Sequence, residues 1–575
     1  MNVEQRVDVA TNVEPDSAAD VLVRQMAASG IDYLFANGGT DFPPIVEAYA
    51  RAEERGDRVP KPMVVPHENA AVSMAHGVYL ATGRAQAVMV HVNVGTANAI
   101  NGVLDASREN IPILVMAGRS PYSEVGHHGT RTRYIHWAQE MFDQAGMLRE
   151  AVKWDYELHL PDQASDCVTR GLQVAMTVPR GPVYLSLPRD TLAAPAVRGV
   201  VSLPRRKVPG PAVPDVCAID EAAEWLASAR SPLIITANAG RTARGFDALT
   251  ALAGRFALPV ISFHQRFANL PSSHPMNFGT QPRPLLNEAD VILVVECDVP
   301  WIPSIESPPE GCRVVHVADD PGFTRYPMHS FPVDLSIAAD SAITLELLAE
   351  ALAMKTEESG TEIESRHARL SERSAVLHAG WSAASGPRDG AITPEYISAC
   401  VAEAAGEDAV IVNEYPLRLE QCPREKTGTY FGLSPAGGLG WGLGAALGIK
   451  LARPEKLVVA TLGDGAYIFA NPTACHWVSE AHDVPVLTII FNNELHGAVR
   501  NATMAMYGNG SAARSSGRIL ADLSPTPAFE KNVEASGGVG FRVETAEELP
   551  SVLAEAVRIV REEGRQALVN VLCDY

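Results

Sequence analysis

A chain of 575 residues is longer than one hydrophobic core usually organises, so its length predicts three or four domains. Apolar residues make up 46% and charged residues 20% of the sequence, as in an ordinary globular protein. The formal net charge of −21 argues against nucleic acid or an anionic membrane as a partner, because both attract basic surfaces.

The first thirty residues carry acidic side chains throughout and contain no apolar stretch of signal-peptide length. Further along the chain, no apolar run reaches the roughly eighteen residues that a membrane helix needs. The eight cysteines are scattered without a C-x-x-C pair, which is typical of reduced thiols rather than of disulfides or a zinc site. We therefore expect a cytoplasmic protein.

Short apolar runs alternate with longer helical patterns along the chain. A helix is predicted over 70–83. The strand-like runs lie at 63–67, 87–92, 113–118, 232–240, 258–263, 290–298, 313–320, 408–414, 456–465, 485–493 and 566–575. Nearly continuous apolar strands separated by helices indicate parallel sheets that are covered on both faces.

Two segments have the character of linkers. Segment 190–215 is rich in proline and weakly periodic, and segment 355–394 is a charged run that we expect to be part helix and part connector. They divide the chain into three tandem doubly wound α/β domains, with boundaries predicted at 15–190, 215–355 and 390–575.

The strongest functional signal is a pair of strand ends in the last third. One strand-like run ends in Gly463-Asp464-Gly465 and the next in Asn492-Asn493. Ligands of doubly wound sheets bind at the carboxyl ends of strands, so both motifs are expected at one edge. Glycines allow close approach to a phosphate, and carboxylate and amide oxygens suit Mg²⁺. Either motif alone is typical of a tight turn, but the pair favours a diphosphate and metal site.

These motifs resemble the metal motif of thiamine-diphosphate (ThDP)-dependent enzymes, the family of acetolactate synthase, pyruvate decarboxylase and benzoylformate decarboxylase. The resemblance runs over roughly 15–572, although the spacer between the motifs is one or two residues longer than in the family. It implies that Asp464, Asn493 and the backbone carbonyl of Leu495 hold Mg²⁺. Gly463 and Gly465 would then lie against the diphosphate of the cofactor.

Two further segments of the last third resemble cofactor-contacting parts of the family. In Gly-Gly-Leu-Gly, Leu439 matches the apolar residue that wedges the two cofactor rings into a bent shape, and Gly438 precedes it. Asn413-Glu414 resembles the turn that contacts the diphosphate or the pyrimidine. His496, beside the metal motif, is a candidate for the substrate pocket; a solvated helix start is the alternative.

Glu68, in the segment VVPHENAAVSMAHG, lies between a strand and a helix. An isolated acid there is usually explained by the helix dipole. The resemblance instead implies the carboxyl that hydrogen-bonds the cofactor's aminopyrimidine, a role that desolvation favours. In the family this domain faces the diphosphate-binding domain of another chain. The resemblance thus implies a homodimer or homotetramer in which Glu68 serves the cofactor at a neighbour's Asp464.

Four side chains of the first domain are further candidates for the substrate side. Thr40 falls where benzoylformate decarboxylase has a serine that contacts substrate, and His91 falls on that enzyme's first active-site histidine. His127-His128 resembles the paired histidines of pyruvate decarboxylase. Histidines near a neutral pKa can move protons to and from an intermediate. The alternative is that they are polar loop residues, and no match to a second histidine from the middle domain is found.

The resemblance implies a ThDP- and Mg²⁺-dependent 2-oxo acid decarboxylase or carboligase. Cleavage of a 1,2-diketone without loss of CO₂ is the alternative. A catalytically silent scaffold is disfavoured because Glu68 and the metal motif are present, and a dehydrogenase because no G-x-G-x-x-G follows a strand. FAD, which acetolactate synthases hold in the middle domain, is left open and is not predicted, because we recognise no pattern of FAD contacts.

Overall fold

The computed structural model describes residues 15–196, 207–356, 360–515 and 517–574. The acidic segment 1–14 and parts of segments 190–215 and 355–394 lie outside the described residues. Three parallel sheets follow one another along the chain, which confirms the α/β class and the three tandem domains. They fall inside 15–190, 215–355 and 390–575, which we retain as the proposed boundaries. Among the described helices, none has the length and apolar character to cross a membrane.

The first sheet has six strands, flanked by helices on both faces. The strands are β1 (Tyr33–Asn37), β2 (Lys61–Val64), β3 (Gln86–Val90), β4 (Ile113–Arg119), β5 (Asp155–Glu157) and β6 (Val183–Pro188). The helices are α1 (Ala18–Ala28), α2 (Pro43–Arg55), α3 (Glu68–Thr82), α4 (Val92–Arg108), α5 (Ile135–Ala138), α6 (Ala164–Met176) and α7 (Arg189–Ala193). The strand order is β2-β1-β3-β4-β6-β5.

The second sheet has five strands, in the order β11-β10-β9-β7-β8. Its strands are β7 (Pro232–Thr236), β8 (Val260–Ser262), β9 (Val291–Val295), β10 (Arg313–Ala318) and β11 (Leu335–Ala338). Its helices are α8 (Val216–Ser228), α9 (Ala243–Phe256), α10 (Arg283–Leu286) and α11 (Ser341–Lys355). The long helix α12 (Gly360–Ala383) then fills much of segment 355–394, which is therefore part helix, as expected.

The third sheet again has six strands, in the order β13-β12-β14-β15-β17-β16. The strands are β12 (Val410–Glu414), β13 (Tyr430–Gly432), β14 (Val458–Gly463), β15 (Leu487–Asn492), β16 (Val539–Val543) and β17 (Ala567–Leu572). The helices are α13 (Pro394–Ala405), α14 (Gly442–Ala452), α15 (Asp464–Phe469), α16 (Pro472–Ala481), α17 (Gly497–Met506), α18 (Ser511–Arg514), α19 (Glu530–Glu534) and α20 (Leu549–Arg558).

Each apolar run that predicted a strand overlaps one, and most residues of the central strands are buried. The runs did not predict β1, β5, β6, β11, β13 and β16. Four of these six strands lie at a sheet edge, and β1 and β6 are central. Three of the edge strands are only partly buried and the fourth has three residues, so they lack the continuous apolar run that marks a central strand.

The first and third domains are joined by a close crossing of α3 and α14. A Cβ atom on Gly77 would lie 2.1 Å from the carbonyl oxygen of Ala445, and one on Gly448 would lie 2.1 Å from that of Met74. No real Cβ atom tolerates such a distance, so both glycines are required for backbone-to-backbone contact. One hydrophobic core consequently runs from the first domain into the third.

We expect Gly448→Ala to destabilise the protein by about 1–3 kcal/mol, because the added methyl group must push the two helices apart. Thermal unfolding would show this as a lower melting temperature. The matched control is Gly380→Ala in α12, where a Cβ would meet no atom within 4 Å. Alanine there should leave the melting temperature unchanged or slightly higher. Equal melting of the Gly448→Ala variant and wild type would contradict the close crossing.

Candidate active site

Glu68 is the first residue of α3, and its side chain is buried. One carboxylate oxygen accepts a hydrogen bond from the Asn37 amide at 2.9 Å, and the other from the Asn98 amide at 3.2 Å. His67 caps the helix by accepting the N–H of Asn69 at 3.2 Å. Within the described residues no lysine or arginine pairs with Glu68, so this buried carboxyl is held by neutral donors alone.

His91 follows β3 and forms a tight pair with Asp41. Its Nδ1 lies 2.5 Å from Asp41 Oδ1, and its Nε2 lies 3.2 Å from the side-chain nitrogen of Gln139. The hydrogen bond to Asp41 raises the pKa of His91, and burial opposes this effect only in part. The imidazolium form is thereby favoured, as a proton donor near neutral pH requires.

The His91–Asp41 pair sits against backbone. A Cβ on Gly39 would lie 2.2 Å from His91 Nδ1, and one on Gly118 would lie 1.7 Å from Asp41 Oδ2. The next residue, Val92, has φ of +34°, a conformation that β-branched residues strongly avoid. Residues held in such conformations cluster at functional sites. The backbone conformation of Val92 therefore also indicates a functional site at this sheet edge.

Of the other substrate-side candidates, Thr40 joins this edge and the paired histidines do not. Thr40 Oγ1 lies 3.2 Å from Nε2 of a further histidine, His136 in α5. His127 and His128 are exposed, and the part of the chain that the structure describes gives neither ring a hydrogen bond or an ion pair.

Sequence reasoning missed Asp41, His136 and Gln139. Asp41 had a local signal, since an acid directly follows Thr40 at the end of the first strand. His136 and Gln139 come from the segment after β4, and no short-range pattern connects that segment to His91. The two amides that hold Glu68 were missed for the same reason.

The expected metal ligands converge at the ends of the neighbouring strands β14 and β15. Asp464 Oδ2 and Asn493 Oδ1 both accept the N–H of Leu495, at 3.2 and 3.0 Å. Burial raises the pKa of Asp464, partly opposed by the N–H groups of Gly465 and Leu495. In the described residues no three histidine, cysteine or acidic side chains are placed to hold a metal ion by themselves. A carboxylate, an amide and a backbone carbonyl nevertheless form the oxygen set that Mg²⁺ prefers.

The backbone around Asp464 leaves space on one side. A Cβ on Gly463 would meet no atom within 4 Å, whereas one on Gly465 would lie 2.8 Å from the ring of His496. His496 thus packs directly beside the metal motif, at the start of α17. Open space at Gly463 and convergent oxygens fit a metal-bound diphosphate at this edge.

Asn413 and Glu414 hold protein backbone. The Asn413 amide exchanges hydrogen bonds with the backbone of Leu417 at 3.1 and 3.3 Å. The two oxygens of Glu414 accept the N–H groups of Gly440 and Gly442, each at 2.6 Å. Burial raises the pKa of Glu414 to about 7. Asn413 also lines a cavity, and direct contact of these side chains with a cofactor stays a prediction.

The Gly438-Leu439 loop is also held from the first domain, by α4. Asp105 Oδ1 accepts the N–H of Gly438 at 3.0 Å, and the Asn101 amide donates to the carbonyl of Leu439 at 3.0 Å. Asp105 is buried, and its second oxygen has no hydrogen-bond partner among the described residues. Burial, with the nearby charges of Glu414 and Glu109, raises the pKa of Asp105 to about 8.

The central domain has a crevice where its strand order reverses, between β7 and β9. Doubly wound domains bind dinucleotides at such a point. Here the crevice has a volume of about 40 Å³, while ligand pockets usually have about 300–1,000 Å³. Arg241 pairs with Glu296 at 3.4 Å, and Arg266 pairs with Asp298 at 3.2 Å and with Glu109 at 2.9 Å. These ion pairs line the crevice, and FAD stays not predicted for this domain.

Three family models match the chain in succession. They are described as the N-terminal TPP binding domain (residues 16–147), the central domain (residues 219–348) and the C-terminal TPP binding domain (residues 414–571) of thiamine pyrophosphate enzymes. The matches place Glu68 in the first model and Asp464 in the last.

Curated relatives and solved structures agree with these models. Benzoylformate decarboxylase of Pseudomonas aeruginosa is 29% identical over 450 residues, which cover 76% of this chain and 79% of that protein. The acetolactate synthase large subunit of Haemophilus influenzae is 26% identical over 563 residues, covering 94% and 92%. The structure of a Rhodococcus jostii RHA1 ThDP-dependent 4-hydroxybenzoylformate decarboxylase superposes with a TM-score of 0.77 at 24% identity, covering 97% and 99%, and shows the common fold.

Asp105→Asn tests whether the buried carboxyl is neutral. With its pKa raised from 3.8 to about 8, Asp105 binds more protons in the folded than in the unfolded state between those pH values. The contribution of Asp105 to wild-type stability therefore falls as the pH rises through that range, and asparagine removes this contribution while keeping an acceptor for Gly438. We expect the variant to gain about 1 kcal/mol or more on wild type between about pH 5 and pH 8.

The measurement is thermal unfolding across that pH range, and the exposed Asp247→Asn in α9 is the control. The control should follow the wild-type curve at every pH. If Asp105→Asn also runs parallel to wild type, the carboxyl is ionised in the folded protein.

Proposed function

We propose that the chain, which belongs to the family of thiamine-diphosphate-dependent enzymes, is a Mg²⁺-dependent 2-oxo acid decarboxylase or carboligase. The observation that carries the proposal is the buried Glu68 carboxyl, which two neutral amides hold at the start of α3. When bound, ThDP supplies the carbon nucleophile and the electron sink for breaking a carbon–carbon bond next to a carbonyl.

Glu68 would hydrogen-bond the aminopyrimidine ring and exchange a proton with it. No ion pair has to be broken when this buried carboxyl contacts the ring, because its only hydrogen-bond partners in the described residues are the two neutral amides. Asn37 and Asn98 orient both of its oxygens and leave its charge unbalanced. This arrangement supports a role in activating the cofactor rather than one in helix stability alone.

Asp464, Asn493 and the carbonyl of Leu495 would hold Mg²⁺, and the open face of Gly463 would admit the diphosphate. This assignment is supported by the two side-chain oxygens that converge on one N–H. Leu439 packs half-buried on the shared core, in a loop that both domains hold. Such a loop can keep a bent cofactor in place without rearranging.

His91 would act as the proton donor at the substrate. Asp41 orients the ring through Nδ1 and favours its protonated form, which leaves Nε2 for the reacting molecule. The side-chain nitrogen of Gln139 lies 3.2 Å from that same Nε2, so a bound molecule would have to displace Gln139 to reach it.

A homodimer or homotetramer completes the proposed site. In the described residues no hydrogen bond or ion pair links Glu68 to Asp464 within one chain. Apolar side chains are exposed on α4, which carries Asn98, and on α15, which begins with Asp464. They are Val94, Leu104, Ile468 and Phe469. A second chain that covers them would bring the two half-sites together.

The first activity measurement is release of CO₂ from pyruvate and from benzoylformate by the purified protein. We expect release that requires both ThDP and Mg²⁺ and is lost after dialysis against EDTA and restored by Mg²⁺ with ThDP. Cleavage of a 1,2-diketone without CO₂, by protein that binds ThDP, would instead establish the alternative reaction. Absence of ThDP binding would overturn the proposal.

Glu68→Gln should keep ThDP and Mg²⁺ bound but lower turnover by about 100-fold or more, because an amide cannot exchange the proton. Cofactor retention can be measured by calorimetry alongside steady-state rates. Glu54→Gln, on the exposed face of α2, is the control and should behave as wild type. A Glu68→Gln variant with the wild-type rate would remove Glu68 from the mechanism.

A further inference from the structure

His136 lies beside Thr40, at the substrate edge of the first sheet. Its ring is buried in α5, with Nε2 at 3.2 Å from Thr40 Oγ1. Its Nδ1 accepts the backbone N–H of Thr132 at 3.1 Å. The ring therefore contacts one partner through each nitrogen.

These two contacts determine which nitrogen of a neutral ring carries the proton. A backbone N–H can only donate, so Nδ1 must be the unprotonated acceptor. The proton of the neutral ring is then on Nε2, and Nε2–H donates to the hydroxyl oxygen of Thr40.

The surroundings of His136 favour this neutral ring. Burial lowers the pKa of His136, and the positive charges of Arg189 and Arg131 lower it further. Asp41 acts in the opposite direction and His91 in the same direction as the arginines. The pKa values of two histidines at one sheet edge are thus shifted in opposite directions. His91 is shifted toward the cation and His136 toward the neutral ring.

The Thr40 hydroxyl has one proton, and its oxygen already accepts a hydrogen bond from Nε2–H of His136. In the described residues Thr40 Oγ1 has no other hydrogen-bond partner, and its backbone carbonyl accepts from Arg189 at 3.0 Å. The hydroxyl proton must then point away from His136. It is available to an acceptor on a bound molecule.

We propose that His136 is a positioning residue that fixes the Thr40 hydroxyl as a hydrogen-bond donor to the carboxylate of a 2-oxo acid. The proposal rests on the proposed function and adds the residue that holds the Thr40 hydroxyl in its donating orientation. His91, whose ring Asp41 orients, would then contact the oxo group of the same molecule.

A neutral donor suits a carboxylate that is to leave as CO₂. A cation would stabilise the charged carboxylate in the ground state more than in the transition state, where that charge moves away, and would slow the reaction. Arg189 is the cation beside Thr40, and its guanidinium donates hydrogen bonds to the backbone carbonyls of Thr40, Gly129 and Thr130. The hydroxyl therefore supplies recognition without added charge.

The test compares the single variants Thr40→Val and His136→Phe with the double variant, as holoenzymes with the better of the two 2-oxo acids. Each single change should lower kcat/KM by about tenfold, the loss of one hydrogen bond to a charged group. The double variant should be no worse than either single one, because His136 acts only through Thr40. Losses that multiply to about a hundredfold would overturn the proposal.

Two further variants separate positioning from packing. His136→Gln places an amide donor near the position of Nε2 and should restore kcat/KM to within about threefold of wild type. His159→Phe, an exposed histidine of the same domain, should have no effect. A His136→Gln variant as slow as His136→Phe would mean that donation to Thr40 is not what matters.

A readout without activity is the ¹⁵N shift of the His136 imidazole, assigned by its loss in His136→Gln. A proton on Nε2 near neutral pH supports the proposal, and a proton on Nδ1 overturns it. If wild type releases no CO₂ from any 2-oxo acid, the proposed function and this inference both fail. If wild type is active and His136→Phe matches it, only the inference fails.

Discussion

The arrangement of the whole molecule depends on the backbone contact between α3 and α14. Glycines at Gly77 and Gly448 let two helices from different domains cross with no side chain between them. Because α3 begins with Glu68 and α14 follows the Gly438-Leu439 loop, the crossing sets how these two functional segments lie within one chain. A larger residue at the crossing would move both segments at once.

Around this crossing, buried acids hold backbone that carries the site. Glu414 from β12 and Asp105 from α4 accept N–H groups of the same loop from opposite domains. Burial raises the pKa of both carboxyls toward or above neutrality. Their hydrogen bonds therefore couple the position of the loop to the contact between the first and third domains.

The first domain carries the candidate site residues Glu68, His91 and His136 at its own sheet edge. Neutral amides hold Glu68, a carboxylate holds His91, and a backbone N–H holds His136. The Asp41 carboxylate favours the protonated ring of His91, and the backbone N–H selects the ring of His136 whose proton is on Nε2. Two histidines on one edge can thus be given separate tasks by their second contacts.

The sequence by itself determined the features that depend on local pattern. Buried parallel strands appear as continuous apolar runs, and a metal motif at strand ends brings its residues together because adjacent parallel strands end at one edge. For these reasons the three sheets and the convergence of Asp464 with Asn493 followed from the sequence. Edge strands such as β5 and β16 did not, because exposure interrupts their apolar runs.

Only the tertiary structure decided which partner each functional side chain has. The pairs His91–Gln139, Thr40–His136 and Asp105–Gly438 join segments far apart in the chain. It also left His127 and His128 exposed, although their motif resembles a catalytic pair. The physical reason is that tautomer, charge and orientation are set by contacts across elements, and a linear pattern carries no record of which elements meet.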